Sequence, residues 1–297
     1  MTAPARDDSL LLVTRLAHAA LAVAVIPSFY NLTFHPEATA TNFAWTLAPT
    51  MSAMYFGALY FAVVYSFLRV TFAKRWHEIA LVLWATLPVV LVLAVVTFLH
   101  WEKFAHGTVR FWIWLAAYVG ASILLPYILW SNGRRDPRTP NPGDVEIPAI
   151  VCRAALVLGI VVGLVGAAMI FAPTSMAGVW PWPVKPLAAQ AVGSLLLAAS
   201  AVQIRVTLDR RWSSVRIAAQ TAILWVSMVI VAVVRGFDQF DTSRPMTWGF
   251  LALLGIEWLL ATGTYAVLEG RRRRNAAAMA VSTGGRGSHA NADPIGA

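Results

Sequence analysis

Glu257 stands in the middle of an apolar run that reads LLGIEWLL. An ionised carboxylate at the centre of a membrane span costs about 2.5–3.5 kcal/mol even on a lenient insertion scale. A carboxyl at that depth faces the interior of a helix bundle, where it can relay a proton or hold an ion. Three groups are candidate partners in such an intramembrane site: His18 in the first apolar run, Arg15 about one turn earlier, and Arg153, which takes the place of Arg15 in the second half of the chain. The competing reading is a structural acid hydrogen-bonded to Gln220, Ser227 or Thr262.

A second group of residues is basic. Residues 69–76 read RVTFAKRW and residues 205–212 read RVTLDRRW, with five identities in eight. Arg69, Lys74, Arg75, Arg205, Arg210 and Arg211 could therefore form two cationic pockets for phosphate-bearing lipid or solute. The simpler alternative is a pair of tight loops whose basic side chains snorkel to headgroups, with Trp76 and Trp212 at the interface. A third group gathers His35, Glu37, His100, Trp101, Glu102, His106, Asp238 and Asp241 in the loops of the other side. These residues could line an outer vestibule, or they could be ordinary charges in an aromatic belt with Trp45, Trp112, Trp114, Trp180, Trp182 and Trp248. They do not point to a metal: the second half has Gly236 opposite His100, and no HExxH-like spacing sets two ligands on one helix.

Membrane helices must position all of these groups. Of 297 residues, 59% are hydrophobic and 12% are charged, about half the charged share of ordinary soluble domains. Apolar runs of roughly 20 residues, the length that crosses a bilayer core, lie near 10–32, 48–69, 78–100, 111–130, 149–171, 187–204, 214–234 and 247–268. In lipid each must be helical, because its backbone groups have no water to satisfy them. The expected fold is an all-α integral membrane protein with eight transmembrane helices. Of the 23 Lys and Arg, 18 fall on the side that holds both termini. That asymmetry predicts cytoplasmic termini in a cell membrane and accounts for the net charge of +9 without nucleic acid. Anionic lipids at the cytoplasmic face are the partners it implies.

The RVT match extends at a constant offset of 136, aligning Gly57 with Gly193, Phe104 with Phe240 and Trp112 with Trp248. VTRLA at 13–17 likewise matches VCRAA at 151–155, so the first run reads as a retained span of a repeat rather than a cleaved leader. The chain divides into a cytoplasmic N-terminus at 1–9, a four-helix repeat at 10–130, a Pro-rich cytoplasmic linker at 131–148 and a second repeat at 149–268. A basic cytoplasmic tail, 269–297, is expected to be disordered, with Arg271 to Arg274 meeting anionic headgroups. Four helices per unit make the two repeats parallel, that is, alike in orientation. Pro88 and Pro126 invite kinks, and Gly159, Gly163 and Gly166 form a smooth face able to join the two units or two copies of the chain.

No P-loop, paired mid-span histidines or Ser–His–Asp pattern is legible, and one cysteine, Cys152, forms no intramolecular disulfide. No cofactor is implied, and enzymology is disfavoured. The leading expectation is passage or exchange of a small solute or ion along the repeat interface, with Glu257 as its ionisable element. The second is a non-transport assembly or lipid-interaction component, and the third a membrane redox protein.

Overall fold

The computed structural model describes residues 8–137, 141 and 143–289, with side chains described as far as Met279. Arg6, Arg138, Pro140, Pro142, the rest of 1–7 and 290–297 lie outside the described residues, as does the Arg286 side chain.

Eight long helices account for the apolar runs: α1 (Leu12–Phe34), α2 (Thr50–Phe72), α3 (His77–Leu99), α4 (Val109–Gly133), α5 (Ala149–Phe171), α6 (Pro186–Arg205), α7 (Trp212–Arg235) and α8 (Pro245–His289). All eight are long and apolar enough to cross a membrane, which makes the chain a multi-pass membrane protein. No strand occurs among the described residues, only isolated bridges. Local chemistry sets several helix starts. Pro186 and Pro245 occupy first helical positions, where the missing N–H costs nothing. Thr108 caps α4 by accepting from the Phe111 N–H at 3.4 Å. Helices α3 and α4 run unbroken through Pro88 and Pro126.

The expected disordered tail is corrected over part of its length. Helix α8 continues past Glu269 to His289. The added turns include the strong helix formers Ala276 to Ala278, and Glu269 is bridged by Arg272 at 2.6 Å one turn on.

Helices α2, α3, α6 and α7 form the centre. Helix α1 packs on α2, α4 on α3, α5 on α6 and α8 on α7, while α2 crosses to α7 and α3 crosses to α6 and α7. The central helices α2 and α6 have 61% of their apolar windows buried, against 6% for α8. The reason is legible in their residues. Small side chains such as Ser52, Ala53, Ala58 and Ala62 in α2, and Ala188, Ala189, Ala191 and Ser194 in α6, are buried and let neighbours approach closely. At Gly57 an added Cβ would sit 2.5 Å from Thr33 Oγ1 on α1, and at Gly193 one would sit 2.7 Å from the Gly166 carbonyl on α5.

The glycine face of α5 is therefore used within its own helix pair. Gly159 meets Gln203 and Ile204, Gly163 meets Ser200, and Gly166 meets Gly193 and Leu196, all on α6. Among the described residues its close contacts are with α6 and not with the first half of the chain.

Two ends of the bundle can be told apart by their hydrogen bonds. At the linker end, Leu10 N–H donates to Lys74 O at 3.0 Å and Ile147 N–H to Arg210 O at 2.8 Å; Trp76 N–H donates to Asp8 O at 2.8 Å and Trp212 N–H to Val145 O at 2.9 Å. Asp8 also holds the His77 ring, and Asp144 holds the Ser213 hydroxyl. At the distal end, Ala105 N–H donates to Ala44 O at 3.0 Å and Asp241 N–H to Pro181 O at 2.8 Å.

Most of the tryptophans assigned to interfaces are core residues. Trp76 and Trp212 are buried at the linker end, and Trp45, Trp114, Trp180 and Trp182 are buried at the distal end, whereas Trp101, Trp112 and Trp248 are exposed. The distal loops fold their rings inward: Trp45 packs on Phe104 and Phe56, and Trp182 on Phe240 and Phe250.

Candidate functional site

Helix α8 places Glu257 against α6 and α7, over a cavity of about 40 Å³ in which a water-sized sphere can move. Tyr55 of α2, Val162 of α5, Leu196 of α6 and Trp225 of α7 close it, with Phe250 and Leu254 of α8 on the near side. The wall is almost wholly apolar, so its few polar groups set its chemistry. Gln203 Nε2 donates to Glu257 Oε1 at 2.8 Å, from α6 to α8. Gln203 Oε1 and Trp225 Nε1 are buried and have no hydrogen-bond partner. Tyr55 and Trp225 pack edge to face at 6.1 Å between ring centres.

One carboxyl and one indole with an unmet N–H thus line a space that holds one or a few waters, and the carboxyl is held by Gln203. Such a set can bind a water or a small ion, and it can take up or release a proton at Glu257. An unmet buried donor costs about 1–3 kcal/mol, so an occupant that accepts from Trp225 Nε1 is favoured.

The other residues expected beside Glu257 lie elsewhere. His18 Nδ1 bonds to Thr14 O at 2.7 Å, and its ring meets Phe67 of α2 edge-on at 5.3 Å. Arg15 donates to Thr71 O at 2.8 Å. Arg153 is exposed on α5. The three residues named as structural partners of Glu257 are also committed elsewhere. Gln220 serves Tyr65 and Tyr265, Ser227 accepts from Trp258 Nε1 at 2.9 Å, and Thr262 donates to Trp258 O.

A second polar strip was not foreseen in the sequence. It runs along α2 and α7 toward the linker end. Ser66 and Thr221 hydroxyls meet at 3.1 Å, Tyr65 Oη donates to Gln220 Oε1 at 2.7 Å, and Gln220 Nε2 donates to Tyr265 Oη at 2.7 Å. Arg69 donates to Tyr65 Oη at 2.7 Å and to Gln220 Oε1. Single polar residues scattered through apolar runs give no hint of meeting until the helices are packed.

The predicted cationic loops divide into two kinds. Arg210 is bridged to Glu146 at 3.1 Å, and Arg211 to Asp209 at 2.7 Å and Asp136 at 3.7 Å. Burial pushes the Asp209 carboxyl up, but the side-chain and backbone N–H donors of Arg211 outweigh it and hold Asp209 below its ordinary value. Arg75 bonds to the linker residue Asn141, Lys74 is exposed, and Arg205 lies 4.0 Å over the Trp84 ring. The matched basic signature therefore resolves into locally neutralised loops at 210–211 and an aromatic-capped cation at 205.

The vestibule residues separate into small groups. His100 Nε2 pairs with Gln190 Oε1 at 2.8 Å, Trp101 stacks on His106 at 4.6 Å, and His35 lies near Tyr30 and Glu37. Glu102 pairs with Lys103 at 3.6 Å, and Asp241 with Arg244 at 2.8 Å, while Asp238 is exposed. Among the described residues no three His, Cys, Asp or Glu side chains cluster closely enough to hold a metal ion.

No family model matches the chain, and no curated protein or solved structure is detectably similar to it.

Proposed function

We propose that this protein passes or exchanges a small solute or ion across a cell membrane, along the boundary between two like-oriented four-helix units, with Glu257 as the ionisable element. The observation that supports this reading is the siting of Glu257: a mid-span carboxyl lining a half-open, water-sized pocket between the second four-helix unit and Tyr55 of the first, with the unmet Trp225 Nε1 in the same lining. A purely structural acid has no need of that space.

The two-unit reading rests on contacts that recur at positions 136 or 137 apart. Leu10–Lys74 recurs as Ile147–Arg210, Ala44–Ala105 as Pro181–Asp241, and Gly57 against Thr33 as Gly193 against Ile170. Contacts between the units are exchanged in the manner of a two-fold axis: Arg69 reaches Gln220 while Arg205 reaches Trp84, and His100 meets Gln190 while Gly236 meets Met54. The boundary is α2 and α3 against α6 and α7. With 18 of 23 basic residues on the linker side, that end is assigned to the cytoplasm, next to anionic lipid.

Substituted-cysteine labelling tests the route. In a Cys152→Ser background, cysteines placed at Val229 and Leu254, which line the cavity, are expected to react with a small water-soluble thiol reagent in membranes. A cysteine at exposed Leu259 is expected to stay unreactive in lipid. Equal protection of all three would remove the aqueous route.

A further inference from the structure

We propose that the linker end of the α2/α7 seam, between Arg69 and Arg216, binds a phosphate-type oxyanion. The Arg69 guanidinium is part-buried, and its hydrogen bonds among the described residues go to neutral groups, Tyr65 Oη and Gln220 Oε1. Arg216 lies one turn before Gln220 on α7, on the same face. It makes no hydrogen bond or ion pair with any described residue, and its Nε is buried without a partner. Helix α2 runs toward the linker end and α7 away from it, so the Ser66–Thr221 and Arg69–Gln220 contacts bring Arg216 to the next turn beside Arg69. Tyr65, Gln220 and Tyr265 add neutral hydrogen-bonding atoms around them.

The carboxylate nearest this strip along α8 is Glu269, one turn beyond Tyr265. It is already taken by Trp212 Nε1 at 3.2 Å, Arg272 at 2.6 Å and Arg273 at 3.4 Å. Asp144 is held by Ser213, one turn before Arg216, and forms no ion pair with Arg69 or Arg216 among the described residues. Two guanidiniums drawn partly out of water without a direct ion-pair partner are unfavourable, because the desolvation of each is unmet. Guanidinium forks match the oxygens of phosphate in geometry and charge, and two forks at one seam can hold one such group.

The corresponding seam on the other side of the boundary shows that the arrangement is specific. At positions 136 earlier or later, Tyr65, Ser66, Arg216, Gln220, Thr221 and Tyr265 are replaced by Ala201, Val202, Ala80, Trp84, Ala85 and Leu129. There Arg205 lies over the Trp84 ring, so an aromatic face occupies the place of the polar strip. A generic need for basic residues near headgroups would not polarise one seam and leave its counterpart apolar.

The test uses purified full-length protein in neutral detergent with two probes. Inorganic phosphate is titrated while thermal unfolding is followed, and phosphatidylglycerol binding is counted by native mass spectrometry against phosphatidylcholine. At least one probe is expected to bind the wild type. Arg216→Ala, which installs the residue found at position 80, is expected to weaken that binding about tenfold or more. Arg69→Gln gives an independent reading if Arg216→Ala does not fold, and Arg205→Gln is expected to bind as the wild type does. Phosphate that stabilises the protein and competes with the lipid identifies a free anion as the ligand. Response to phosphatidylglycerol alone identifies a headgroup. Absence of binding by both probes, unchanged affinity in the folded Arg69 or Arg216 variants, or an equal loss in Arg205→Gln would overturn the assignment.

Discussion

Gln203 of α6 and Glu257 of α8 meet, amide nitrogen to carboxyl oxygen at 2.8 Å, and the amide oxygen of Gln203 is buried and unpaired among the described residues. One hydrogen bond holds the carboxyl in place, and it ties α6 to α8 at this depth. A double-mutant cycle with Gln203→Leu and Glu257→Leu should return a coupling of about 0.6 kcal/mol, and no more than about 1.7, in detergent unfolding, as is usual for hydrogen bonds between membrane helices. Strictly additive effects would mean that the two side chains do not support each other.

Close helix approach in the second half depends on Gly193. Its added Cβ would lie 2.7 Å from the Gly166 carbonyl, a backbone atom that cannot swing aside. Gly193→Ala is therefore expected to destabilise the protein by about 1–3 kcal/mol through overpacking. Gly255→Ala, with open space around it, should be neutral or slightly stabilising, because alanine is the better helix former. Melting temperatures of the two variants in one detergent provide the check.

Acid should release the loop before α7. Arg211 holds Asp209 below the ordinary value of 3.8 for an aspartate. A carboxyl depressed in the folded state binds fewer protons there than in the unfolded chain. Its stabilisation is thus present above the ordinary value and lost as pH falls through the lower folded one. Asp209→Asn should lower the melting temperature at neutral pH, and the gap should close at pH well below 3.8. A gap that widens on acidification would contradict the pairing.

Hydropathy made the number and places of the eight helices readable, because crossing a bilayer demands length and apolarity in each segment separately. What it could not give was the rotation of each helix about its own axis. That is why Gln203 rather than Gln220, Ser227 or Thr262 is the partner of Glu257, and why His18 and Arg15 belong to the α1/α2 contact. The same limit turned buried Trp45, Trp180 and Trp182 into expected belt residues. It also made Gly159, Gly163 and Gly166 read as a face for joining two units or two copies, whereas their close contacts within the chain seat α6. The Arg69–Gln220–Tyr265 strip was equally hidden: its members come from three helices and no local pattern unites them.

The reading of Glu257 as the ionisable element of a route is tested most directly by flux. Proteoliposomes loaded with a pH-sensitive dye and given a potassium-diffusion potential report ion-linked proton movement. Wild-type protein is predicted to show a pH-dependent rate above protein-free vesicles, and folded Glu257→Gln protein to lose that dependence. Wild-type vesicles no faster than empty ones, or a Glu257→Gln profile that overlays the wild type, would contradict it.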